Sequence, residues 1–263
     1  SGHYVGRTVA NRTVDARARI TGTLIERPYT EGALVAEGAP LFRIDPREVQ
    51  AALDSAKARQ ARATAELAQA QADLGRIKPL AEAGAATRAE SDAAQTQVLA
   101  MQAELAAAAA AVASAELDLG YTTITAPFAG LVSKAAVDPG ALLSPSGGTL
   151  CTLDQVDPMA VEFAVSETDI QAWRDDITSG RVRTPKPNQL EMTARLVDGS
   201  VYGETGHGTY RDVRFRAETG TALVRAVFPN PKGELRAGQF IRLSINGAVR
   251  TGALLVPQTA VVQ

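Results

Sequence analysis

Between residues 45 and 120, apolar positions recur at alternating steps of three and four. On the outgoing arm they are Val49, Leu53, Ala56, Ala63, Leu67, Ala70, Leu74 and Ile77, interrupted only by Gln60. On the return they are Ala94, Val98, Met101, Leu105, Ala108, Val112, Ala115 and Leu119. Glu, Gln, Arg and Asp fill the remaining faces, so the pattern predicts two antiparallel helices wound as a coiled coil rather than helices buried in a globular core. The end signals agree with that assignment. Asp45 is placed to cap the first arm with Pro46 at the first helical position and Glu48 at the third, and Thr87 with Glu90 forms a capping box for the second. Gly84 and Gly120 stand where left-handed C-terminal residues are expected. At about 1.5 Å of rise per residue each arm projects roughly 50 Å, too far to fold back onto a core.

On either side of the hairpin the period falls to two. Residues 17–45 read as short strands broken by Gly22, the turn at Glu31 and Gly32, and Gly38 with Pro40. Residues 122–154 repeat the pattern. Gly22-Thr23-Leu24-Ile25 matches Gly130-Leu131-Val132-Ser133, Gly32-Ala33-Leu34-Val35 matches Gly140-Ala141-Leu142-Leu143, and 41–45 matches 150–154. The near-constant offset marks a duplication. Two matched halves flanking a hairpin predict one lipoyl-like β-sandwich, residues 17–45 and 121–154, with the α-helical hairpin, residues 46–120, inserted between them. Beyond it, strands at 159–165, 190–197, 212–216, 222–228 and 240–245, with a short helix capped by Ser166 and carrying Asp169, Ile170, Trp173 and Ile177, predict a small antiparallel β-barrel over residues 155–249. The alternating segments 4–10 and 254–263 lack local partners. They are expected to lie side by side in a partial membrane-proximal β domain made of residues 1–16 and 250–263. The fold class expected is therefore mixed, elongated and multidomain.

Composition narrows the chemistry. The 263 residues are 45% apolar and 21% charged, enough for genuine cores, and the formal net charge of −2 gives no reason to expect nucleic acid. One cysteine and two histidines leave no zinc site or disulfide framework. Cys151, inside an alternating run, reads as a small buried residue rather than a nucleophile. His3 and His207 are expected in terminal and loop segments. No catalytic group, phosphate loop or cofactor motif is visible, so no enzyme activity and no cofactor are expected. No apolar run approaches the roughly 18 residues of a membrane span. The chain opens at Ser1, which leads to the expectation that a targeting segment has been removed.

The repeat, the inserted hairpin and the barrel carry a resemblance. Gly6-Arg7-Thr8, Gly22, Glu31-Gly32, Gly38, Ile44-Asp45-Pro46, Thr125-Ala126-Pro127, Gly130, Asp157-Pro158, Gly220-Thr221, Ala226 through Pro231 and Val256-Pro257 occur in the order found in the periplasmic adaptor (membrane fusion) proteins of tripartite efflux systems. The chain most closely resembles the branch that works with RND transporters, within the HlyD-like superfamily. The resemblance implies a periplasmic link between an inner-membrane RND transporter and an outer-membrane channel protein. It also implies a homo-oligomer, a hexamer in the assembled pump, anchored at the inner membrane by an N-terminal lipid or segment, and a membrane-proximal domain that is incomplete here. The family's tip pattern for channel docking falls on Arg76, Leu80 and Thr87, with Thr in place of the family's Ser. Each also has a structural reading: Thr87 caps the second arm, Leu80 closes the seam, and an arginine at a helix C-terminus faces the negative end of the dipole.

Other functions are distinguishable in the sequence. A lipoyl or biotin carrier presents its lysine on the hairpin that joins the two halves, whereas the long coiled coil occupies that joint here and Lys134 lies inside the second half. A passive scaffold would account for the alanine run at 106–111. An adaptor for an ABC-type exporter shares the architecture. A heavy-metal exporter adaptor is disfavoured by methionines as far apart as Met101, Met159 and Met192.

Overall fold

A computed structural model describes residues 2–183, 190–211, 219–246 and 248–250. After an N-terminal strand β1 (Gly2–Val9), the chain lays down β2 (Thr13–Ala16), β3 (Gly22–Glu26), β4 (Leu34–Val35) and β5 (Pro40–Ile44). It then forms two helices, α1 (Arg47–Glu82) and α2 (Arg88–Gly120), and returns through β6 (Thr123–Thr125), β7 (Gly130–Val132), β8 (Leu142–Leu143) and β9 (Cys151–Asp154). These strands make two four-stranded sheets, β6-β5-β3-β8 and β2-β9-β7-β4. Each sheet takes strands from both halves. β3 of the first half pairs with β8 of the second, and β7 of the second pairs with β4 of the first. Exchanging the halves turns one sheet into the other.

The repeated glycines have repeated causes. A Cβ on Gly22 would meet Ile44 Cγ2 at 2.5 Å, and one on Gly130 would meet the Asp154 carbonyl oxygen at 2.5 Å, so both strands cross their neighbours too closely for a side chain. Gly32 and Gly140 turn with φ of 74° and 97°. Between the sheets, Leu24, Leu41, Ile44, Val132, Leu150 and Leu153 are buried, matched half for half. Burying each such side chain contributes about 1.5–3 kcal/mol. Phe42 in the first half corresponds to Cys151 in the second, and both are buried. Burial pushes the Cys151 thiol up, which leaves it a poor nucleophile.

The helices leave from this core. Ile44 N–H donates to the Thr122 carbonyl at 2.7 Å and pins the base of the hairpin across its two chains. Asp45 Oδ1 accepts from Arg47 N–H at 3.1 Å, and its carboxylate also receives the Arg47 guanidinium, which holds its pKa below the usual aspartate value. α1 and α2 pack antiparallel, with Leu53 and Ala56 against Val112, Ala115 and Leu119. Lys57 pairs with Glu116 at 3.6 Å across them. Along the rest of the length Ala63, Ala70, Val98 and Ala108 are buried, and Leu67, Leu74, Ile77 and Met101 are half-buried. Gly120 departs from its expected left-handed role. It is the last residue of α2, and Tyr121 ends the helix in right-handed geometry with φ of −72°. A second correction concerns hydropathy, because α2 is long and apolar enough by composition to pass as a membrane span. Alanine supplies that hydropathy, and the helix is one arm of the hairpin.

Downstream come β10 (Met159–Ser166), α3 (Glu167–Thr178), β11 (Val182–Arg183), β12 (Glu191–Arg195), β13 (Gly206–Arg211), β14 (Thr221–Phe228), β15 (Phe240–Asn246) and β16 (Val249–Arg250). Six strands close a barrel in the order β1-β10-β14-β13-β12-β15, while β11 and β16 pair separately. Met159, Val161 and Phe163 alternate inward against Ala226, Phe228, Ile241 and Leu243. Ser166 Oγ accepts from Asp169 N–H at 3.0 Å to cap α3, whose Ile170 is buried against the barrel.

The N-terminal strand is therefore a barrel strand, not part of a separate domain formed by 1–16 and 250–263. β1 pairs with β15 from Gly2 to Arg7 and with β10 from Gly6 to Val9, and residues 13–16 belong to the sandwich. Alternation shows that a strand needs partners but not which ones; the local reasons are Gly6 and Thr8. A Cβ on Gly6 would meet Val161 Cγ1 at 2.8 Å. Thr8 is buried and accepts from Gln239 N–H at 2.8 Å while donating to the Arg236 carbonyl at 2.5 Å. The proposed partner at 254–261 lies outside the described residues, as does the expected strand at 212–216. β13, by contrast, carries no apolar alternation. Its Gly206 lies against the face of Phe228, where a Cβ would fall inside the ring's contact distance. Gly206→Ala should destabilise the barrel by about 2–3 kcal/mol through overpacking, read as a lower urea midpoint at unchanged slope.

Candidate functional site at the hairpin tip

The far end of the hairpin is built to be self-sufficient in backbone hydrogen bonds. The Leu80 carbonyl accepts from Ala85 N–H at 2.8 Å and Ala86 N–H at 3.2 Å, and Gly84, at φ of 74°, donates to Ala81 at 3.1 Å. Thr87 then opens α2 with a complete capping box. Its Oγ1 accepts from Glu90 N–H at 3.2 Å, while Glu90 Oε2 accepts from Thr87 N–H and from the hydroxyl, each at 2.8 Å. Those bonds pull the Glu90 carboxyl below its ordinary value. Pro79, in the last turn of α1, has no N–H to give Gly75, which loosens the helix one step before Leu80.

Arg76 stands three residues after Asp73 and donates to its carboxylate, which also receives Gln69 Nε2 at 3.2 Å. The Arg76 hydrogen bond is the main reason that the Asp73 carboxyl titrates below the usual range. A depressed carboxylate pKa keeps the pair ionised at neutral pH, and it is lost only as pH falls through that lowered value. The Arg76 side chain is 68% exposed, Leu80 is 50% exposed, and Thr87 is exposed. An exposed ion pair contributes little to stability and exchanges partners readily. Arg76 and Leu80 lie one helical turn apart, and Thr87 begins the other arm. Thr87 Oγ1, already donating to Glu90, retains acceptor capacity.

Elsewhere, among the described residues, no cluster of His, Cys, Asp or Glu has the arrangement of a metal site. His3 lies in the N-terminal strand β1 beside Ser244, whereas His207 lies on the barrel strand β13 rather than in a loop. Sequence reasoning missed Asp73 and Gln69 as partners of the tip. Their i,i+3 and i,i+4 spacing was the available signal.

The architecture is thus a duplicated sandwich carrying a helical hairpin, followed by a six-stranded barrel. Residues 12–155 match the family described as "RND MFP, barrel-sandwich hybrid domain", and residues 158–249 match "RND MFPs, beta-barrel domain". The chain belongs to the RND membrane fusion proteins. It is similar to "Efflux pump periplasmic linker BepF" of Brucella suis biovar 1 (strain 1330), 36% identical over 259 residues, covering 98% of this chain and 62% of the relative. It is also similar to "Multidrug efflux pump subunit AcrA" of Escherichia coli (strain K12), 32% identical over 257 residues, covering 97% and 64%. The chain thus spans a little under two thirds of the length of these relatives. In fold it is similar to MacA from Actinobacillus actinomycetemcomitans, with a TM-score of 0.70 and 21% identity over 95% of this chain and 79% of that one.

Proposed function

We propose that the chain is part of a periplasmic adaptor that links an inner-membrane RND transporter to an outer-membrane channel in a tripartite efflux pump. It acts as a homo-oligomer, a hexamer when assembled, anchored at the inner membrane. The observation that supports this reading is the hairpin: two antiparallel helices leave the sandwich, and their capped tip exposes Arg76 and Leu80. In this role Arg76 donates charge-assisted hydrogen bonds to carbonyls or carboxylates of the channel, Leu80 packs beside it, and Thr87 adds its hydroxyl. The adaptor positions its partners and performs no covalent chemistry. The RND membrane fusion protein models that match residues 12–155 and 158–249 support an RND pump over an ABC-type exporter.

Replacing residues 46–119 by a short polar turn tests the separation of the reach from the fold. The Ile44 to Thr122 hydrogen bond already brings the two ends together, and a surface insertion is thermodynamically separable from its host. The deleted protein should melt cooperatively with the helical circular dichroism of the hairpin gone, and cells relying on it should lose efflux. Retained efflux would refute the adaptor role, and an unfolded product would show that the hairpin is part of the core.

A further inference from the structure

We propose that Arg225 is a latch that sets the angle between the barrel and the hairpin-bearing sandwich. The chain passes between the two units twice, at residues 10–12 and 155–158, and among the described residues no strand of one unit pairs with a strand of the other. The two crossings run side by side as a ribbon. Asn11 N–H donates to the Gln155 carbonyl at 2.9 Å, Gln155 N–H to the Arg12 carbonyl at 2.8 Å, and Asn11 Nδ2 to Gln155 Oε1 at 3.0 Å. A two-stranded ribbon on its own twists easily. It needs a third support to hold a fixed angle.

Arg225 supplies that support from inside the barrel sheet. Its position on β14 is fixed by register with Glu162 of β10, and its Nη2 reaches out to the carbonyls of Asn11 at 2.6 Å and Ala10 at 3.3 Å. One guanidinium thus grips consecutive carbonyls of a crossing strand. The grip is not fully satisfied, because Arg225 Nε is buried and has no acceptor among the described residues. An open depression lies alongside, lined by Asn11, Glu162, Thr209 and Leu223. Turned into it, the guanidinium would meet the Glu162 carboxylate, its cross-strand neighbour, so the side chain has a second place to go. The latch is therefore releasable rather than a permanent weld. Its leverage is large: a rotation of about 10° at the base of an arm roughly 50 Å long moves the tip by about 9 Å. That consequence rests on the tip being the docking point, but the latch itself does not.

The test is a distance measurement by double electron–electron resonance on the folded chain, with Cys151→Ala and spin labels on exposed Ser55 in α1 and Lys232 in the barrel loop. Arg225→Met should broaden the distance distribution about twofold, while Arg225→Lys, which keeps one donor group, should broaden it less. Melting of both units should stay near that of the parent. Unchanged distributions in both variants would overturn the proposal. So would broadening that appears only with loss of the barrel's melting transition, since Arg225 would then be holding the barrel together rather than its angle. If Arg225→Met does not fold, Arg225→Lys decides alone by the same criterion. No channel or transporter is present in the experiment, so its failure is distinguishable from failure of the docking role.

Discussion

Arg76→Asp should abolish drug resistance in cells that depend on this protein, while helix content and melting temperature remain near wild type. The side chain is exposed and, among the described residues, its partner is Asp73 one turn away, so reversing its charge changes stability by about 0.5 kcal/mol or less. The effect at an interface is of another size. Truncating one member of a hydrogen-bonded charge pair there costs about 2–5 kcal/mol, and at 1.4 kcal/mol per decade that is roughly a thirtyfold to several-thousandfold loss of affinity. A reversed charge also repels acidic partner groups and adds a like charge three residues from Asp73. Arg76→Lys should be partly tolerated, because a point charge does not reproduce a forked donor. Full resistance in Arg76→Asp cells would remove Arg76 from the docking role.

Asn230→Leu should cost the barrel about 3–4 kcal/mol, the largest stability effect expected from a single polar substitution here. Asn230 is buried between the loop after β14 and the segment entering β10. Its Nδ2 donates to the carbonyls of Val156 and Leu235, each at 2.9 Å, and its Oδ1 accepts from Leu235 N–H at 3.0 Å and from the Tyr202 hydroxyl at 3.3 Å. Its own N–H donates to Asp157 Oδ1 at 2.8 Å. Leucine keeps the volume and the backbone bond but strands two carbonyls and one N–H in an apolar setting. Tyr202 would keep its bond to the Pro229 carbonyl at 2.7 Å, which limits the loss. Asn230→Asp should be about as damaging, since an oxygen would replace the amide donor that faces two carbonyls. Urea unfolding should show the barrel transition moving to lower denaturant with the sandwich transition in place. An unmoved barrel midpoint would contradict this view of Asn230.

The elements most legible in the sequence were those fixed by a local period or by a glycine with one possible cause. The three-four alternation marked the positions that are least exposed along α1 and α2, and the matched glycines marked where two half-sandwiches cross or turn. What alternation does not carry is the choice of strand partner. β1 reads as a free strand because nothing within it names β10 and β15; only Gly6 and Thr8 betray a close neighbour. β13 was invisible because its inward position is a glycine making room for Phe228, which removes the apolar signal that a strand normally leaves. At the tip, the residues Arg76, Leu80 and Thr87 were placed by resemblance, whereas the Asp73 and Gln69 partners follow from helical spacing alone. Arg225 was not legible at all, because its carbonyl acceptors lie more than two hundred residues away.

The most direct test of the adaptor role is photo-crosslinking in living cells from a reactive amino acid placed at position 80 of the full-length protein. Leu80 is half exposed at the tip, and its replacement there leaves the Thr87 capping box untouched. If the tip docks on a channel, ultraviolet light should give a covalent adduct with an outer-membrane protein, and that adduct should vanish when Arg76→Asp is added. An active pump that yields no such adduct, or adducts only between copies of this chain that persist with Arg76→Asp, would contradict it.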